Sequence, residues 1–134
     1  MFKYAHHVHY VVKNRDEMVA YIERTFGMKP DTLSEGDKGV WKEAQYRIGQ
    51  TLLRIRQPDP KHKDGVFLKE HGPGIHHVAW AVDDVSEVSQ RLKASGKPLR
   101  DESGFHRSAH GNYTIDIDPE DSLGIIFQLT QDPK

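Results

Sequence analysis

Two stretches of the chain carry the same order of apolar and polar positions. AHHVHYVV, from Ala5, and IHHVAWAV, from Ile75, place apolar side chains at alternate or successive positions, as a β-strand does. Each leads into a helix start, Asn14 with Glu17 and Asp84 with Glu87, at the spacing of a capping box. Met18, Val19, Ile22 and Phe26 then share one helical face, as do Val85, Val88 and Leu92, and Gly27 and Gly96 supply the stops. Laid over one another, His6, His7, Val8, Val12 and Glu17 fall on His76, His77, Val78, Val82 and Glu87, and Tyr10 falls on Trp80. The chain is therefore read as an internal repeat.

Strand-like segments follow in both copies. Residues 40–48, a Gly49-Gln50 turn and residues 51–57 predict one hairpin. Residues 112–117, a turn over Asp118, Pro119, Glu120 and Asp121, and residues 124–130 predict another. The expectation is an α+β fold of two tandem βαβββ modules related by a pseudo-twofold axis, residues 1–58 and 74–134, within a single domain over 1–134. The connector, residues 59–73, is rich in Pro, Gly and charge, with a short helical turn around residues 66–70. Modules this small bury too little surface alone, so a site is expected where they meet.

Composition narrows the function classes. The 134 residues carry 19 Lys and Arg against 20 Asp and Glu, a net charge of -1, so no basic excess is available for nucleic acid. Apolar runs such as residues 123–127 fall far short of the roughly 18–20 residues of a membrane span, which predicts no membrane partner. The first residues lack an unbroken apolar stretch and a small-residue cleavage pattern, and there is no Cys, so the expectation is a cytoplasmic protein without disulfides. Histidine, at 9, is the conspicuous residue type.

The repeat, the stretch GIHHVAWAVDDVSEVSQRLKASG and the closing GNYTIDIDPEDSLGIIFQLTQ resemble the vicinal oxygen chelate superfamily of glyoxalases, bleomycin resistance proteins and dioxygenases. Its methylmalonyl-CoA epimerase and glyoxalase I branches are the most similar. The resemblance implies a cup-shaped mixed sheet, a homodimer, and one divalent metal ion, Zn, Ni, Co or Mn, held by side chains of both modules. Its ligands would be His7 and His77, from the first strand of each module, and Gln128 from a later strand of the second. Arg54 stands at the matching position of the first module, and Arg has no lone pair to offer a cation. The epimerase branch carries a general-base Glu near Lys42. Glu43 is one step along and is expected to face the other way unless the strand bulges.

Period two places His7 and His9 on one face and Val8, Tyr10 and Val12 on the other, against the helix. The same alternation puts His77, Ala79 and Ala81 together, Leu52 with Arg54 and Arg56, and Ile126 with Gln128 and Thr130. Arg54 and Arg56 suit a clamp for an anionic oxygen, His9 lies beside them as a substrate contact, and His110 could reach a ligand from a covering loop over residues 103–112. Trp41 and Trp80 are read as core residues. The resemblance thus implies a metal-dependent lyase or isomerase of glyoxalase and epimerase type, acting through an enediolate on a small anionic carbonyl compound or acyl thioester, with Glu43 as base. Its rivals are a metal-free binding protein of the drug-resistance type and, third, an extradiol-type dioxygenase.

Overall fold

The computed structural model describes residues 1–96, 105–108, 110–117, 119–120 and 122–132. The chain divides into two compact units: an N-terminal unit of His7–His76, and a C-terminal unit of Met1–His6 with His77–Lys134. In chain order the elements are β1 (Ala5–Val11), α1 (Arg15–Phe26), β2 (Thr32–Glu35), β3 (Lys42–Ile48), β4 (Thr51–Gln57), α2 (Lys63–His71), β5 (Gly74–Ala81), α3 (Val85–Ala94), β6 (His106–Arg107), β7 (Tyr113–Asp116) and β8 (Phe127–Gln131). In the N-terminal unit the strand order is β2-β3-β4-β1, with β1 parallel to β4 and the other pairs antiparallel. In the C-terminal unit β5-β8-β7-β6 follows the same plan, β5 being parallel to β8. The α+β class and the βαβββ order of each half are those expected.

Helix placement follows from the caps. Asn14 accepts from the Glu17 N–H at 3.0 Å, and Asp84 accepts from the N–H groups of Ser86 and Glu87, so both helices start one residue after the cap. A second repeat device joins each helix to its sheet. Gln57 Oε1 accepts the Arg15 N–H at 3.0 Å, and Gln131 Oε1 accepts the Val85 N–H at 2.9 Å. These amides satisfy first-turn donors that would otherwise be orphaned. The Arg15 side chain adds bonds to the carbonyls of Ser34 and Glu43, which ties the start of α1 to β2 and β3.

Each unit has its own core on the helix side of its strands. Val12, Ile22, Ala44, Tyr46 and Ile55 form one, flanked by Tyr10, Met18, Val19 and Leu53. Val82, Val85, Val88, Ile115 and Leu129 form the other, flanked by Trp80 and Leu92. The opposite faces of the same strands carry the polar side chains that concern function.

Several expectations are corrected. The helical turn in the connector is a nine-residue helix, α2, closed by the Gly72 N–H on the Leu68 carbonyl and packed through Phe67 against His71 and His76. β2 was not located by the sequence pattern. His106 and Arg107 form a short strand opposite Thr114 and Tyr113 where a loop was expected, because the edge of β7 offers them backbone partners. β8 begins at Phe127, since Leu123 and Gly124 turn the chain with positive φ. The expected turn residues Asp118 and Asp121, and Ser103, Gly104 and Ala109 of the expected covering loop, lie outside the described residues. Among the described residues no helix is long and apolar enough to cross a membrane.

Gly65, in the first turn of α2, is buried against residues 59 and 60, and a Cβ there would overlap the Asp59 carbonyl and come within 2.8 Å of Pro60 Cα. Both obstacles are backbone, so the helix itself must shift. Gly65→Ala is expected to lower stability by about 1–3 kcal/mol, the usual scale of overpacking, read as a lower urea midpoint.

Candidate active site

Strand register assembles the N-terminal face. β1 pairs His7 with Leu52, His9 with Arg54 and Val11 with Arg56. β3 pairs Glu43 with Arg56 and Gln45 with Arg54. Paired residues on adjacent strands share a face, so His7, His9, Arg54, Arg56, Glu43 and Gln45 all project to the side away from the core. The expectation that Glu43 faces the other way is corrected. Lys42 takes the opposite side, pairing with Gln57, and its ammonium lies 3.5 Å from Asp16.

These groups are sequestered. Glu43 is 1% exposed, His7 3%, Arg54 6% and His9 8%. Arg56 Nη1 donates to Glu43 Oε1 at 3.2 Å and Gln45 Nε2 donates to Glu43 Oε2 at 3.0 Å, so each carboxylate oxygen has a donor. The Arg56 guanidinium also lies over the Trp41 ring, 4.4 Å from its centroid. Trp41 is therefore a platform for Arg56 rather than a core residue. Trp80, by contrast, flanks a core and stacks on Phe2 at 5.2 Å.

Asp64, in the first turn of α2, joins the cluster. Its Oδ2 lies 3.5 Å from Arg56 Nε and 3.7 Å from His9 Nε2, and its Oδ1 accepts from His62 Nδ1 at 2.7 Å. Burial pushes this carboxyl up, but the His9 and His62 contacts outweigh it and hold Asp64 well below the usual carboxylate range. Arg56 thus bridges two buried carboxylates. Arg54 has a different environment: among the described residues its buried Nε has no hydrogen-bond partner. Burial draws the Arg54 pKa below its ordinary value, opposed by the charge of Glu43 and assisted by that of Arg56. A guanidinium remains charged under such a shift, so the face presents a fixed cation toward any anionic ligand.

The C-terminal unit presents a milder face. β8 sets Gln128 beside Ala79 and opposite Asp116, and Thr130 opposite Thr114, with His77 two residues before Ala79 on the same side. Gln128 Nε2 donates to Asp116 Oδ1 at 3.0 Å, and the Thr114 hydroxyl bonds His106 Nε2 at 2.9 Å. His6 turns away from this role, donating to Asp132 at 2.7 Å beside Asn112. His110 is exposed.

Sequence reasoning anticipated His9, Arg54 and Arg56 as neighbours and missed Asp64, Gln45 and the Trp41 platform. A divalent ion fits the N-terminal face poorly. Beside His7 that face offers Arg54 where a second donor is needed, and a buried cation repels a metal ion. Among the described residues no group of three or more His, Cys, Asp or Glu is placed to hold a metal ion.

Known proteins share this arrangement of elements. The ethylmalonyl-CoA/methylmalonyl-CoA epimerase of Cereibacter sphaeroides is 30% identical over 67 residues, 50% of this chain and 50% of that protein, so the match spans half the length of this curated relative. A solved methylmalonyl-CoA epimerase, crystallised with selenomethionine, superposes with a TM-score of 0.83 at 27% identity, covering 100% of this chain and 98% of the other. A Streptomyces coelicolor methylmalonyl-CoA epimerase variant in complex with 2-nitronate-propionyl-CoA gives a TM-score of 0.84 at 19% identity over 98% of this chain and 96% of that one, a likeness of fold. The model of one family matches residues 6–115, most of the sequence, and by that match the chain belongs to the glyoxalase/bleomycin resistance protein/dioxygenase superfamily.

Proposed function

We propose that this protein is an epimerase acting on an acyl-CoA thioester whose α-carbon also bears a carboxylate. The observation that carries the reading is Glu43: a fully buried carboxylate held by Arg56 and Gln45 on the face that also presents His7, His9 and Arg54. A hydrogen between two carbonyl groups is acidic enough for a carboxylate base that is fixed in place and shielded from water. Glu43 takes that proton, an enolate forms, and return of a proton to the other side of the carbon inverts the centre. Arg54 and Arg56 supply the positive charge that holds the substrate's anionic oxygens. The names of the relatives above support the thioester. A cavity of about 660 Å³ in the same unit, lined by Leu68, Val40 and Pro58 with Lys13 and Lys69, has the size and charge suited to part of a coenzyme A.

The set His7, His77 and Gln128 remains the metal-binding alternative for this enzyme, and homodimerisation and cytoplasmic location belong to the proposal in the same way. The test is to incubate one epimer of methylmalonyl-CoA with the protein in D2O and follow both inversion and deuterium at C2. Inversion accompanied by exchange is expected. Tight binding of the thioester without exchange or inversion would favour the drug-resistance type of binding protein instead.

A further inference from the structure

We infer that Arg54 occupies the functional place of the metal ion in this chain, its guanidinium being the electrophile that holds the enolate oxygen. The inference rests on the reading that Glu43 removes a proton next to a carbonyl. Arg54 is 6% exposed and directly opposite Gln45, with His9 on the other neighbouring strand. Arg56 carries the ion pairs to Glu43 and Asp64, whereas Arg54 Nε has no hydrogen-bond partner among the described residues. A buried N–H of a cation left in that state has a bond to offer an anionic oxygen. Glu43 stands one strand away on the same face, so an oxygen held by Arg54 brings the adjacent carbon toward the base.

The step balances without a metal. The C–H proton passes to Glu43, the C–H electron pair becomes the C=C bond of the enolate, and the carbonyl π pair moves onto oxygen, where the guanidinium N–H groups meet the charge. A proton from the Glu43 carboxylic acid, its own or one exchanged with water, then returns to the carbon, which restores the carbonyl and the carboxylate base. The ligand class is a thioester enolate or an isosteric nitronate, and the fork geometry of Arg suits either.

Two titrations of chelator-treated protein test the inference, one with 2-nitronate-propionyl-CoA and one with Co²⁺ alone. Nitronate affinity is expected to be unchanged within about twofold by added Co²⁺ and to fall about thirtyfold in Arg54→Gln, the scale of a lost charge-assisted contact. Arg54→Lys, which keeps the charge and loses the fork, is expected to lie between them. Wild-type protein is expected to take up Co²⁺ no better than His7→Ala. One-to-one Co²⁺ uptake that His7→Ala abolishes would overturn the inference without any Arg54 variant having to fold. So would nitronate binding that ignores Arg54→Gln, or no nitronate binding at all. Nitronate binding that follows Arg54 while methylmalonyl-CoA is not turned over would uphold this assignment and reject the epimerase reading.

Discussion

Glu43→Gln is expected to lower kcat for epimerisation by about 10²–10⁴-fold, the usual contribution of a positioned general base, while KM moves by no more than a few-fold. The substitution is nearly isosteric. The amide oxygen can still accept from Arg56 or Gln45, so the face keeps most of its hydrogen bonds and loses its proton acceptor. Glu43→Leu is a different experiment. It removes the anion beside the buried Arg54 and the half-buried Arg56, and losing one partner of a buried ion pair costs up to about 3–5 kcal/mol. Its loss of activity would therefore come with a loss of stability, whereas Glu43→Gln separates the two. The measurement is deuterium wash-in at C2 of methylmalonyl-CoA, with urea midpoints recorded for both variants. Retention of wash-in within about threefold in Glu43→Gln would place the base elsewhere.

Period-two alternation was enough to put His7 with His9 and Arg54 with Arg56, and caps three residues from a Glu were enough to start both helices. The face of Glu43 was legible too, through a different signal from the family pattern. A two-residue turn at Gly49-Gln50 pairs Ile48 with Thr51, and counting back along an unbulged hairpin brings Glu43 opposite Arg56. The position of the family's base near Lys42 pointed the wrong way by one residue, and one residue on a strand is the other face. Asp64 was hidden for another reason. It lies in a charged, Pro-rich connector, and it is buried through tertiary contacts that set it against His9 and Arg56. Tertiary contacts of that kind leave no periodic trace. β2 is similarly silent, since all four of its residues are exposed and its placement comes from the edge of β3 and the Arg15 bond to the Ser34 carbonyl.

Asp64→Asn is expected to destabilise the protein by about 2–3 kcal/mol at pH 7, the range of a lost hydrogen bond to a charged group, and the deficit is expected to shrink in acid. The sign follows from the depressed carboxyl. Because folded Asp64 ionises well below the unfolded value of about 3.9, its stabilising contribution is complete above that value and is lost as pH falls from about 4 toward the folded pKa. The wild-type protein should therefore lose stability on acidification faster than the variant, so urea midpoints at pH 7, 5, 3 and 2 should converge. A gap that stays constant over that series would mean that Asp64 acts by shape rather than by charge. The same variant has a catalytic signature distinct from that of Glu43→Gln. Asp64 touches Arg56, which in turn holds Glu43, so in the proposed mechanism it is a positioning residue. Its removal frees Arg56 to swing on the Trp41 ring and loosens the base, for which a drop in kcat of about ten- to a hundredfold is expected. Asp64→Glu, which keeps the charge on a longer arm, should recover much of the acid-dependent stability and less of kcat, because the charge can be met from a shifted position while the orientation of Arg56 cannot.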